Sequence, residues 1–151
     1  MPTDTDTFTF DRAMPLSPSR LWSLLTDPKM REIWSAPGDL TLDVVSADTQ
    51  LGGVDHHRCG PEDAPEFEVE TRWYNLEEPQ AASFTEVIEA GGMRLGASLV
   101  TYALAETPSG TDLSITVAVT SFVGPEMIGE FNAGWSGAVE KLEQLASKSL
   151  N

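Results

Sequence analysis

Apolar positions along this chain follow two rhythms, a period of two over most of its length and a helical period in two places. Residues 5–14 alternate, with Phe8, Phe10 and Met14 set against Thr7, Thr9, Asp11 and Ala13, as a half-buried strand does. Arg12 is the one charge on that strand's apolar side. A helix follows: Ser17 caps it, Pro18 suits its first position, and Leu21, Trp22, Leu24 and Leu25 form its buried face. Asp27-Pro28 signals a second start, giving a short helix over residues 29–34 with Met30, Ile33 and Trp34 on one side, ended by Ala36-Pro37-Gly38-Asp39.

From there to residue 122 the alternation predicts strands separated by turns. Residues 40–50 and 54–59 flank Gly52-Gly53 as a hairpin, and the second run breaks at Gly60-Pro61. Residues 66–74 alternate most clearly, with Glu66, Glu68 and Glu70 opposite Phe67, Val69, Thr71 and Trp73. Strands over 82–90 and 93–106 flank Gly91-Gly92, and a last strand sets Leu113, Ile115, Val117 and Val119 against a polar face. Residues 124–148 then turn helical. At about 100° per residue, Met127, Ile128, Phe131, Gly134, Trp135, Ala138, Leu142, Leu145 and Ala146 share an arc of roughly 120°, opposite Glu130, Ser136, Glu140 and Glu143. One strand, two short helices, six more strands and a long helix imply an α+β domain whose antiparallel sheet is covered by that last helix. Gly134 lies on the inner face and Gly129 and Gly137 on the outer one, each costing about 1 kcal/mol against alanine, so the first half of the helix is expected to move and gate the interior.

Composition narrows the partners. The 151 residues suit one domain, 1–151, with no second core and no linker. A net charge of −15 and the absence of a basic run disfavour nucleic acid and anionic membranes. The single cysteine, Cys59, forms no internal disulfide, and no signal-like start or apolar span is present, which places the chain in the cytoplasm. The sequence leaves room for a homodimer.

Ser17-Pro18-Ser19-Arg20-Leu21-Trp22 with Thr26-Asp27-Pro28 and Trp34, then Gly52-Gly53, Pro79 before a strand, and Gly134-Trp135 with Val139 and Leu142 make the whole chain resemble the helix-grip fold of the START/Bet v 1-like (SRPBCC) superfamily. Within it, the chain is similar to the family named after the activator of Hsp90 ATPase. The resemblance implies a curved antiparallel sheet of about six to seven strands wrapped around the C-terminal helix, with a cavity between them that holds small hydrophobic molecules. It carries no shared catalytic motif, and its functions range from sequestration to co-chaperone action and, in related families, polyketide cyclisation.

Candidate chemistry is sparse. Nucleophile-elbow, phosphate-loop and zinc-protease motifs are all missing. In Asp55-His56-His57-Arg58-Cys59, His57 and Cys59 share one strand face and His56 and Arg58 the other; zinc would need further ligands from elsewhere, so no metal or other cofactor is expected. The functional reading turns Val54, His56 and Arg58 inward, so that His56 exchanges a proton and Arg58 holds a carboxylate or phenolate. The alternative is that both are solvated or paired with some of the 24 acidic residues. Trp34, Phe67, Val69, Trp73, Phe84, Met127, Phe131 and Trp135 are the candidate apolar wall, with Met127, Phe131 and Trp135 assigned to ligand contact and Leu142 and Leu145 to core. Among the carboxylates Glu68, Glu86 and Glu106, Glu68 falls on the wet face, while Glu86 shares parity with Phe84 and Ile88, where burial would raise its pKa and fit it for acid catalysis. The expected function is therefore non-catalytic binding of a small apolar or aromatic molecule, with a cyclase-like enzyme or a co-chaperone-like interaction module as rivals. A cavity of several hundred Å3 would favour binding, convergent titratable groups the enzyme, and a filled core the interaction module.

Overall fold

A computed structural model describes residues 4–63 and 66–149. The elements run β1 (Asp4–Met14), α1 (Pro18–Thr26), α2 (Pro28–Trp34), β2 (Thr41–Ser46), β3 (Val54–Gly60), β4 (Phe67–Glu77), β5 (Ala81–Ala90), β6 (Met93–Thr107), β7 (Gly110–Ser121) and α3 (Glu126–Lys148). All seven strands join one antiparallel sheet in the order β1-β7-β6-β5-β4-β3-β2. Register shifts at Val44/Ser46, Trp73/Asn75 and Ile88/Glu89 break the ladder locally, and such bulges bend and twist a sheet. The sheet curves, and α3 lies in its concave side, as the helix-grip reading expects.

Local chemistry explains the helix boundaries. Ser17 accepts a hydrogen bond from the Arg20 amide at 3.4 Å and Asp27 one from the Lys29 amide at 2.9 Å, and each cap precedes a proline in the first helical turn. The indole of Trp34 donates to the Leu24 carbonyl at 2.7 Å, tying α2 to α1. Inward residues of β4 to β7 then build the closed core: Trp73, Phe84, Val100, Tyr102, Ile115 and Val117 are fully buried, and α3 adds Ala138, Val139, Leu142 and Ala146. Each such large side chain contributes about 1.5–3 kcal/mol of burial. Arg12, the lone charge on the apolar side of β1, reaches Glu143 of α3 at 3.1 Å and so spans sheet and helix.

The apolar stripe of α3 is buried unevenly. The helix packs on β1, β7, α1 and α2, and Ala138, Val139, Leu142 and Ala146 of its second half are buried, whereas Met127, Ile128, Phe131 and Trp135 of its first half stay only half-buried. Leu145, expected in the core, is half-buried and packs on its edge. Gly129 faces open space as expected, but Gly137 does not: a Cβ there would stand 2.8 Å from Cβ of Pro37. The turn after α2 reaches that side of the helix, a contact which a helix-on-sheet reading leaves out.

Candidate functional site

Strand register arranges the concave face in transverse rows, because cross-strand partners point to the same side. One row, Trp73-Phe84-Val100-Val117, is aromatic and aliphatic. The next, Asp55-Thr71-Glu86-Ser98, is polar throughout. The one beyond, His57-Val69-Ile88-Gly96, is mixed. A polar belt thus crosses the inner face and divides it. On one side lies the closed core, and on the other a cleft of about 130 Å3 between the sheet, α2 and the first half of α3.

Arg31 sits on the belt. It lies one helical turn before Trp34, so both side chains of α2 enter the fold, and its guanidinium is 2% exposed. The group stands 3.9 Å from Asp55 and 3.7 Å from Glu86, above the rings of Trp73 and Phe84 at 5.6 and 5.4 Å. Stacking over aromatic faces suits a weakly hydrated guanidinium. Asp55 is fixed from three directions: it accepts hydrogen bonds from the Trp73 indole at 3.0 Å, the Asp48 amide at 2.6 Å and the Thr49 hydroxyl at 3.4 Å. Glu86 has only the loose Arg31 contact among the described residues.

Burial sets the protonation states. It drives the Glu86 carboxyl above its ordinary value, with Arg31 opposing. His57 is pushed down to about 3 by burial, then by Arg31 and His56, so its imidazole is neutral at neutral pH. The Cys59 thiol is raised by burial and by Glu86, with Lys141 opposing, and the Tyr102 phenol is raised mainly by burial. Several buried polar atoms find no hydrogen-bond partner among the described residues: Nε and Nη1 of Arg31, Nε2 of His57, the Thr71 hydroxyl and the Tyr102 hydroxyl. Such orphans are rare in native interiors and mark places where water or a ligand group binds.

The cleft takes its apolar wall from Trp34, Leu42, Val69, Ile88, Phe131 and Trp135, and its polar end from Arg31, His57, Cys59, Glu86 and Ser98, with Glu130 also on the lining. Phe131 approaches β6 over Gly96, where a Cβ would come within 2.7 Å of its ring, so the missing side chain lets helix and strand close there.

Four of the expected wall residues, Trp34, Val69, Phe131 and Trp135, line the cleft. Four do not. Trp73 and Phe84 are sealed into the core beyond the polar row, Phe67 is half-buried outside the lining, and Met127 lies one turn before the helical wall, which runs from Glu130 to Ala138. The rings of Trp73 and Phe84 belong to the packed core and leave a cleft of about 130 Å3, short of several hundred. The inward turn of His56 and Arg58 is also overturned. Both are exposed, Arg58 faces Glu68 at 3.8 Å on the outer side, and it is Asp55, His57 and Cys59 that turn in. The pairs His57 with Val69 and Cys59 with Phe67 impose this, since β4 has an unambiguous inner face. Arg31 escaped the sequence reading because α2 was aligned on Met30, Ile33 and Trp34, whereas Ile33 is 53% exposed. Only with β3 in its observed register do Asp55 and Glu86 both turn inward and call for a cation.

Among the described residues no three His, Cys, Asp or Glu side chains group as a metal site would need, and no helix is long and apolar enough to cross a membrane. The model of the family described as Activator of Hsp90 ATPase homolog 1-like protein matches residues 15–147. Solved structures with the same fold include a protein from Rhizobium loti, 26% identical, covering 95% of this chain and 99% of that one with a TM-score of 0.83. An uncharacterized protein from Rhizobium leguminosarum is 18% identical over 97% of both chains, with a TM-score of 0.84. One from Chromobacterium violaceum is 21% identical over 93% of this chain and 96% of that one, with a TM-score of 0.82. No curated protein matches the chain.

Proposed function

This chain belongs to the Activator of Hsp90 ATPase homolog 1-like family, and from that premise we propose that it binds a small, single-ring aromatic or apolar molecule, without chemistry, in the cleft between sheet and α3. Family and fold together point to a ligand-binding or co-chaperone-like protein. The cleft carries the choice of ligand binding. Its volume of about 130 Å3 is close to the roughly 150 Å3 of an apolar cavity that accepts benzene, and well below the roughly 300–1,000 Å3 of larger ligand sites. Aromatic walls with a few convergent polar groups are the usual make-up of such sites. The cytoplasm is the proposed location, on the single-cysteine composition.

Ile88→Trp fills the cleft from the sheet side and supplies the test. Toluene and benzyl alcohol should raise the melting temperature of the wild-type protein and leave the filled variant unchanged, since a ligand at 100 times its Kd adds about 2.7 kcal/mol to the folded state. Equal responses of the two proteins, or none from either, would remove the reading. A cyclase-like enzyme is the second reading, supported by the convergence of Glu86, neutral His57 and Arg31 on one end of the cleft.

A further inference from the structure

Three buried charges meet at the polar end of the cleft, and they do not balance. Arg31 lies 3.9 Å from Asp55, whose carboxylate is already held by the Trp73 indole and the Asp48 amide, so these two match one another. Glu86 is left over. Its side chain is 13% exposed, lines the cleft, and among the described residues has one ion pair, with Arg31 at 3.7 Å, and no hydrogen bond. A carboxylate in that position needs either a proton or a second cation, because an uncompensated buried charge is costly. An anionic ligand would add to the excess and a neutral one would leave it.

Taking the cleft as the binding site, as proposed above, we propose that its ligand is a small aromatic or apolar amine, bound in its protonated form with the ammonium against Glu86 and its body between Trp34, Phe131 and Trp135. Three independent features fit that class. Aromatic faces attract cations through their quadrupole, most strongly when water is excluded. Glu130 adds a second carboxylate to the lining, and the chain's net charge of −15 raises the local concentration of cations. His57, 2% exposed and also on the lining, presents an Nε2 without a partner and carries no charge to repel an ammonium, so it is free to serve as a hydrogen-bond acceptor for it.

The titratable groups around Glu86 are Arg31 from α2, His57 and Cys59 from β3, Tyr102 from β6 and Glu130 from α3, with Asp55 beyond Thr71 in the same row and Lys141 of α3 acting on Cys59. His57 stays neutral down to about 3, while the thiol and phenol are pushed upward, so Glu86 is the group whose proton the ammonium displaces. Binding of the amine should therefore tighten as pH rises through the titration of Glu86, which burial moves above its ordinary value.

Benzylamine, benzyl alcohol and benzoate are matched in size and differ in charge. Titration calorimetry on the wild-type protein should find benzylamine at least tenfold tighter than benzyl alcohol, benzoate weakest, and proton release on binding benzylamine alone. Glu86→Gln should erase the preference, so that benzylamine binds no more tightly than benzyl alcohol does to the same variant; Glu130→Gln should weaken benzylamine modestly and reduce its salt dependence. Benzyl alcohol or benzoate binding as tightly as benzylamine, a preference retained in Glu86→Gln, or pH-independent affinity would each overturn the amine while leaving the cleft as a binding site. If all three probes fail on the wild-type protein, or bind Ile88→Trp equally well, the cleft reading falls and the amine with it.

Discussion

Acidification should weaken this protein through His57. In the unfolded chain an imidazole takes up its proton near 6.5, whereas in the fold burial and Arg31 delay uptake to about 3. Between those values the unfolded chain holds a proton that the folded one refuses, so stability falls as pH falls. At pH 5 the loss is about 2 kcal/mol relative to pH 7, and it reaches about 4 kcal/mol near pH 3, on the rule that one pKa unit is worth about 1.4 kcal/mol. Glu86 acts with the opposite sign, since its raised value makes the folded state hold a proton longer as pH rises. A bare pH profile would mix the two. Urea denaturation of the wild type and of His57→Gln at pH 7, 6 and 5 separates them, because only the difference between the two slopes belongs to His57. The wild type should lose about 2 kcal/mol more than the variant over that range. Parallel profiles, whatever the offset between them, would refute a buried neutral His57.

Three further outcomes follow from the same geometry. Arg31→Met should destabilise by roughly 3–5 kcal/mol in chemical denaturation at pH 7, because Asp55 would keep its buried position without its cation. Gly129→Ala, facing open space, should raise stability by about 0.5–1 kcal/mol, whereas Gly137→Ala should lower it despite the same gain in helix propensity, since its Cβ would press on Pro37; calorimetric melting of the pair reads the contrast. Hydrogen exchange should find amides in residues 126–137 of α3 less protected than those in residues 138–148 and in β6, as the half-buried first half implies; equal protection would remove the helix from any gating role.

Alternation and capping made the fold legible. Phe67, Val69, Thr71 and Trp73 announced the inner face of β4, Ser17 and Asp27 marked both early helices, and the stripe from Ala138 to Ala146 located the core-facing half of α3. The site was half legible for a physical reason. Trp34, Phe131 and Trp135 are large and apolar, and such residues turn inward whatever they line. Polar inward positions give no such signal. Asp55 and His57 face in because β3 pairs with β4 in one register, and a slip by a single residue would exchange them with His56 and Arg58. Arg31 is buried because two strands far along the chain present carboxylates to it, a relation that no local pattern on α2 contains.

The sheet's strand order also bears on how the chain reaches this state. From β2 to β7 each strand lies beside its successor, so those pairings close over short loops and form early. β1 is the exception. Phe10 must wait for Ile115 and Phe8 for Val117, across nearly the whole chain, and the entropy of that closure is paid only once the meander exists. Until then β7 is an unpaired edge of alternating apolar residues, open to the equivalent strand of another molecule. Once docked, β1 covers that edge, so the segment Asp4–Met14 guards against association in a way that its own share of the core does not suggest.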